Sequence, residues 1–197
     1  MSHPEHNSTP DRVKLPFTFD PERLLAEVQA MSLRDFVHYD VVPLRSPAHF
    51  VDPTVPAPPP AADFADGSWT QWKDAPGLER SPHLQEVLAA FNANTAVNLV
   101  RVLRLEAGGV IAEHTDPTLG LHIERSMVRL TVPIVRGPAC TFWLNDIPVP
   151  MLPGECWYLR LTDPHKVHNN GTAERMSLTI DVVPNPWLQE LIQSAAL

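Results

Sequence analysis

From Val97 onward the chain changes rhythm. Apolar and polar residues alternate in short runs: V-N-L-V-R-V-L-R-L, V-I-A-E-H-T-D, M-V-R-L-T-V-P-I-V, A-C-T-F-W-L-N-D, E-C-W-Y-L-R-L and E-R-M-S-L-T-I-D-V-V. A period of two sends successive side chains to opposite faces, the geometry of a strand buried on one side. Gly108-Gly109, Asn145-Asp146, Pro153-Gly154 and Asn170-Gly171 cut the runs apart. Such tight turns leave no room for the helical crossover that parallel strands need, so an antiparallel arrangement is expected. Together with two helices ahead of them, about eight short strands predict a mainly β fold. That fold is an antiparallel jelly roll, a cupin-like double-stranded β-helix, with a few flanking α-helices. The sequence contains no internal repeat.

The part before Val97 supplies the flanking elements. Residues 1–14 are polar and are expected to be flexible, leaving residues 15–197 as a single domain. In F-T-F-D-P-E-R-L-L-A-E-V-Q-A-M-S, Asp20 suits the N-cap and Pro21 the first helical position. Leu24, Leu25, Val28 and Met31 then form one apolar stripe. Residues 36–44 alternate as a strand. Residues 45–80 read as a long Pro-rich loop, with V-P-A-P-P-P at 55–60, and long loops in compact domains often carry function. That loop carries Trp69 and Trp72 and reads either as part of the substrate-side wall or as a structural flap. A second helix starts at Ser81 as N-cap and Pro82, with Leu84, Val87, Leu88 and Phe91 on one face and His83 on the surface. A short helix closes the chain after Asn185. Trp143 and Trp157 read as core strand residues.

Charge and composition narrow the classes of partner. The net charge is −8 and no Lys- or Arg-rich run exists, which argues against nucleic-acid binding. No stretch approaches the roughly 18 apolar residues of a membrane span. The first twelve residues have no apolar core of the kind a secretory signal needs. Cys140 and Cys156 have no metal or redox spacing around them and read as free thiols of a cytoplasmic protein.

One constellation carries chemistry. His114 and Asp116 are two apart at the end of a strand, so both side chains can face one metal ion. A second histidine, His165 or His168, returns after several more strands. These two are three positions apart, which puts them on opposite faces of a strand, so only one can join the pair. Two histidines and a carboxylate cap one face of an octahedral ion and leave three positions open, the non-haem Fe(II) oxygenase pattern. Glu113 points to the other side of its strand. Ten residues after His165 stands Arg175. Oxygenases of this kind need an acid cosubstrate, and a guanidinium fork holds a carboxylate with two hydrogen bonds. Arg175, Ser177 and Thr179 share one strand face, while Met176, Leu178 and Ile180 share the other.

These residues resemble a known family, the aspartyl/asparaginyl/prolyl beta-hydroxylases of the Fe(II)/2-oxoglutarate-dependent dioxygenases. The resemblance runs from about Asp35 to Val183 and is sharpest in V-R-V-L-R-L-E-A-G-G-V-I-A-E-H-T-D, M-V-R-L-T-V-P-I-V, P-G-E-C-W-Y-L and D-P-H-K-V-H-N-N-G-T-A-E-R-M-S-L-T-I-D-V. It implies His114, Asp116 and His165 as iron ligands, with His165 in place of His168. It implies Arg175 on the far carboxylate of 2-oxoglutarate and Arg129 as a second cosubstrate arginine. Some members carry glycine at the acidic position, whereas this chain keeps Asp116. The implied cofactors are Fe(II), 2-oxoglutarate and O2. The implied substrate is a small-molecule amino acid or a side chain of a peptide or protein. Arg45, Arg80 and Arg125 are candidates for a substrate carboxylate, with Arg45 favoured by the resemblance, and His122 is a candidate substrate contact. Two other classes fit fewer of the residues. A metal-binding, non-catalytic cupin-like protein would lack the arginine at position 175. A zinc hydrolase would need a general base beside the metal.

Overall fold

A computed structural model describes residues 9–58 and 67–196. Residues 1–8 of the expected flexible terminus and residues 59–66 of the expected loop lie outside the described residues. Seven strands form the larger sheet: β1 (Arg12–Thr18), β2 (Tyr39–Pro47), β3 (Trp72–Asp74), β4 (Val97–Leu105), β6 (Val128–Val135), β9 (Glu155–Leu159) and β11 (Arg175–Val182). Their spatial order is β1-β9-β6-β11-β4-β2-β3, with every pair antiparallel. The smaller sheet holds β5 (Val110–His114), β7 (Cys140–Leu144), β8 (Ile147–Val149) and β10 (His165–Asn169), in the order β5-β10-β7-β8. The two sheets form a cupin-like jelly roll, as the alternation predicts.

The central strands β6 and β11 of the larger sheet are buried on both faces, and each face does a different job. Met176, Leu178, Ile180 and Val182 of β11 join Val100 and Val102 of β4 and Leu130, Val132 and Ile134 of β6 in the main core. Helices α1 (Pro21–Gln29), α4 (Pro82–Asn92) and α5 (Pro186–Ala195) cover that core with Leu24, Val28, Leu84, Phe91, Leu188 and Ile192. Each such fully buried side chain is worth about 1.5–3 kcal/mol. The opposite face looks across to the smaller sheet. There Leu119, Leu144, Trp157 and Leu159 make one apolar cluster, and Leu105, Cys140 and Val167 another. Between them lies the polar row of β11: Arg175, Ser177, Thr179 and Asp181, all buried.

Several local expectations change. Residues 12–14 are not a loose tail, because β1 begins at Arg12 and pairs with β9 from Arg12↔Leu159 onward. The strand expected at 36–44 runs Tyr39–Pro47. The stretch 45–80 is not all loop: it holds the end of β2, two short helices α2 (Ala48–Val51) and α3 (Pro76–Glu79), and the edge strand β3. His83 is buried, with Nδ1 2.9 Å from Glu86 Oε2. Helix α4 is not capped by the Ser81 side chain. Glu27 of α1 accepts from the His83 and Leu84 backbone N–H groups instead, at 2.8 and 2.9 Å. Asp20 caps α1, accepting from Glu22 and Arg23 N–H, and Asn185 caps α5. Trp157 is buried and Trp143 half-buried. Among the described residues no helix is long and apolar enough to cross a membrane.

Candidate metal centre

His114 ends β5 and sits directly opposite His165, the first residue of β10. Their ring centroids are 4.2 Å apart. His114 Nδ1 lies 2.8 Å from Ala112 O, and His165 Nδ1 lies 2.9 Å from Asp163 O. A carbonyl only accepts, so each Nδ1 donates to it, which leaves each Nε2 as the nitrogen available to a metal. That is how outer contacts orient a metal-binding imidazole. Asp116 stands two residues past β5, its backbone N–H held by Leu161 O at 2.8 Å. Its Oδ2 is 3.8 Å from His165 Nε2. Candidate ligand atoms of His114, Asp116 and His165 all lie within 4.8 Å of one another. The donor set, two imidazoles and one carboxylate, suits a divalent ion such as Fe(II). Burial pushes the His165 pKa down, which favours the neutral, metal-binding form. Phe142 stacks on the His165 ring at 5.8 Å.

Neighbouring groups are occupied elsewhere. His168 pairs with Val110 and Thr141 further along β10 and takes no part in the cluster. Glu113 turns to the far side of its strand, away from the triad, and binds Lys166 Nζ at 3.0 Å.

A cavity of about 390 Å3 opens between the sheets and joins the triad to Arg175. Tyr39, Leu103, Phe142, Leu161, Val167 and Thr179 supply much of its wall. Arg175 is 7% exposed, and among the described residues no carboxylate pairs with it. Burial lowers its pKa, with Cys140 and Tyr39 acting against that. A buried guanidinium with no counter-ion is costly unless a ligand supplies the anion. The volume suits a small ligand.

Arg129 also lines the cavity, but its fork is engaged. Nε and Nη2 donate to Asp181 at 2.7 and 2.8 Å, and Nη1 lies 3.4 Å from Asp116 Oδ2. Burial alone would lower its pKa, yet Asp181 and Asp116 hold it raised. Arg45 lies outside the cavity: Asp74 holds its guanidinium and Val97 O accepts from Nη1 at 3.0 Å. His122 is exposed, with Nε2 3.2 Å from Thr9 Oγ1. Arg125 is exposed and donates to Ser68 Oγ at 3.0 Å. Arg80 is exposed at the end of α3. Trp69 and Trp72 pack against each other outside the cavity wall. Sequence reasoning missed Tyr39, Asp181 and Arg101. Asp181 left a signal, since an acid inside a fully buried strand demands a cationic partner.

A model of the family described as aspartyl/asparaginyl beta-hydroxylase matches residues 67–184. Among solved structures, an oxidoreductase of the 2OG-Fe(II) oxygenase family from Burkholderia pseudomallei superposes with a TM-score of 0.56 at 16% identity, over 88% of this chain and 84% of that one. The nickel complex of the non-heme monooxygenase ThoJ gives 0.52 at 16% identity, over 89% and 74%. The non-heme alpha-ketoglutarate-dependent epimerase SnoN from nogalamycin biosynthesis gives 0.52 at 14%, over 89% and 79%. At such identities these likenesses speak to the fold. No curated protein matches the sequence.

Proposed function

The chain belongs to the aspartyl/asparaginyl beta-hydroxylase family, and on that premise we propose that it hydroxylates an amino acid, or an amino-acid residue of a peptide or protein, with release of succinate and CO2. It is an oxygenase dependent on Fe(II), 2-oxoglutarate and O2. The observation that supports the site assignment is Arg175, a buried cation with no carboxylate partner among the described residues, sharing one cavity with the His114–Asp116–His165 triad.

In this reading those three side chains hold Fe(II), and Arg175 receives the far carboxylate of 2-oxoglutarate. The bound iron supplies the activation of O2 and the coupled oxidation of cosubstrate and substrate. The chain's own work is placement. The two Nδ1–H···O=C bonds keep both Nε2 atoms aimed inward. Leu161, Phe142 and Leu103 make the wall apolar and exclude water. Thr131 and Thr179 bring hydroxyls to the same space. At the opening, Tyr39 (40% exposed) and Val110 (41% exposed) offer apolar surface to the substrate.

The test is an anaerobic titration of the protein with Fe(II) and 2-oxoglutarate, followed by the visible charge-transfer band of the bound keto acid. The band should form in the wild type and be lost in His114→Ala. Arg175→Ala should weaken 2-oxoglutarate binding far more than iron binding. Succinate release can then be screened against amino acids and peptides. Metal binding without any 2-oxoglutarate band would instead make the chain a metal-holding cupin, and equal loss of both ligands in Arg175→Ala would remove its assigned role.

A further inference from the structure

Arg129 stands in the cavity wall where a cosubstrate group is expected, yet two of its donors are already taken. Asp181 accepts from Nε and Nη2 in a bidentate fork, at 2.7 and 2.8 Å. The β6–β11 register makes the pair directly opposite neighbours. Asp181 is 1% exposed, and Arg101 Nη2 lies 3.6 Å from its Oδ2. Pulling Arg129 away would cost a buried carboxylate its bidentate partner and leave it only the 3.6 Å contact to Arg101, which is unfavourable. The third nitrogen, Nη1, is turned toward the triad, 3.4 Å from Asp116 Oδ2. That is the oxygen lying 3.8 Å from His165 Nε2. Asp116 itself sits past the end of β5, and no strand pairing restrains its side chain.

We infer that Asp181 and Arg129 form a buried relay that aims the Asp116 carboxylate at the metal position, so that Arg129 is a positioning residue for a ligand and not a holder of the cosubstrate. The inference rests on the reading of His114, Asp116 and His165 as the metal ligands. A carboxylate on a loop can rotate about two bonds, and a guanidinium anchored from behind removes much of that freedom. Outer contacts of this kind change metal affinity by about 10- to 100-fold when removed. Both partners come from the rigid larger sheet, whereas Asp116 comes from a loop, so the sheet imposes its geometry on the loop.

The test uses purified apo-protein titrated with Mn(II) in the absence of 2-oxoglutarate. Wild type is compared with Asp181→Asn and with the double variant Arg129→Met/Asp181→Leu. The double variant removes both members of the fork together, so neither is left facing a missing partner, and the partly exposed Arg101 loses only a 3.6 Å contact. Both should bind Mn(II) about 10- to 100-fold more weakly. The visible absorption bands of the Co(II)-loaded variants should also shift, which a mere loss of stability would not cause. At saturating metal, 2-oxoglutarate affinity should match the wild type. Unchanged metal affinity with weakened 2-oxoglutarate binding would overturn the relay and make Arg129 a cosubstrate group. A lowered melting temperature with both affinities and the Co(II) spectrum unchanged would overturn it in favour of a structural clamp. If His114→Ala binds Mn(II) as tightly as the wild type, the ligand assignment fails, and the relay with it.

Discussion

Gly154 and Gly108 show how much a single residue's surroundings matter. Both have left-handed backbone, with φ of +83° and +75°. A Cβ on Gly154 would stand 2.2 Å from Phe19 O, while one on Gly108 would meet nothing within 4 Å. Phe19 cannot retreat, because its N–H donates to Gly154 O at 2.9 Å. Gly108→Ala therefore bears only the left-handed strain, about 1–2 kcal/mol. Gly154→Ala adds a backbone collision and should cost clearly more, read as a lower urea midpoint with unchanged m-value. Pro153-Gly154 and Gly108-Gly109 look alike as turns in sequence; only the packing partner separates them. Arg175 and Arg129 make the same point in the site. Both are arginines on the inner face of strands of one sheet, but among the described residues one pairs with no carboxylate and the other is held by Asp181.

Elements were legible in proportion to how local their signals are. Helices α1 and α5 begin at the Asp20 and Asn185 caps that the sequence offers, since an N-cap bonds within three residues. Helix α4 has its Pro82 at the predicted place, but its first-turn N–H groups donate to Glu27, 56 and 57 residues away. Glu27→Ala should thus uncap α4 and cost about 0.5–2 kcal/mol, checked by thermal melting. An unchanged melting temperature would show that water replaces the carboxylate at no loss. Strand β1 was illegible for a related reason. Val13 and Leu15 are buried between exposed Lys14 and Pro16, but the alternation is brief and the proline interrupts it. Pairing with β9 makes it a strand, and Pro16 falls within the register break between Leu15 and Thr18, where a missing N–H is tolerated. The edge strand β3 and short helices α2 and α3 inside residues 45–80 were hidden too, being four residues or fewer in length.

For the molecule as a whole, stability and metal binding are separable. The main core lies on the far side of the larger sheet from the triad, so it forms without any ion. The apo-protein should be folded and should melt cooperatively. Mn(II) at about 100 times its dissociation constant should add about 2.7 kcal/mol, seen as a rise in melting temperature that EDTA reverses and His114→Ala abolishes. A metal-free protein without cooperative melting would mean that the triad's loops are part of the folding unit. The sequence by itself determined the antiparallel jelly roll, because a strict period of two with tight turns has few other solutions. It also carried the spacing of His114 and Asp116 through strand parity, while the choice of His165 over His168 and the role of Arg175 came from the family resemblance and not from parity. Tertiary structure alone decided which arginine has an empty hand, that Arg45, His122 and Arg125 lie away from the cavity, and that Asp181 stands behind Arg129. Those facts depend on register between strands distant in the chain, and parity within a strand carries no information about which residue will face it from another.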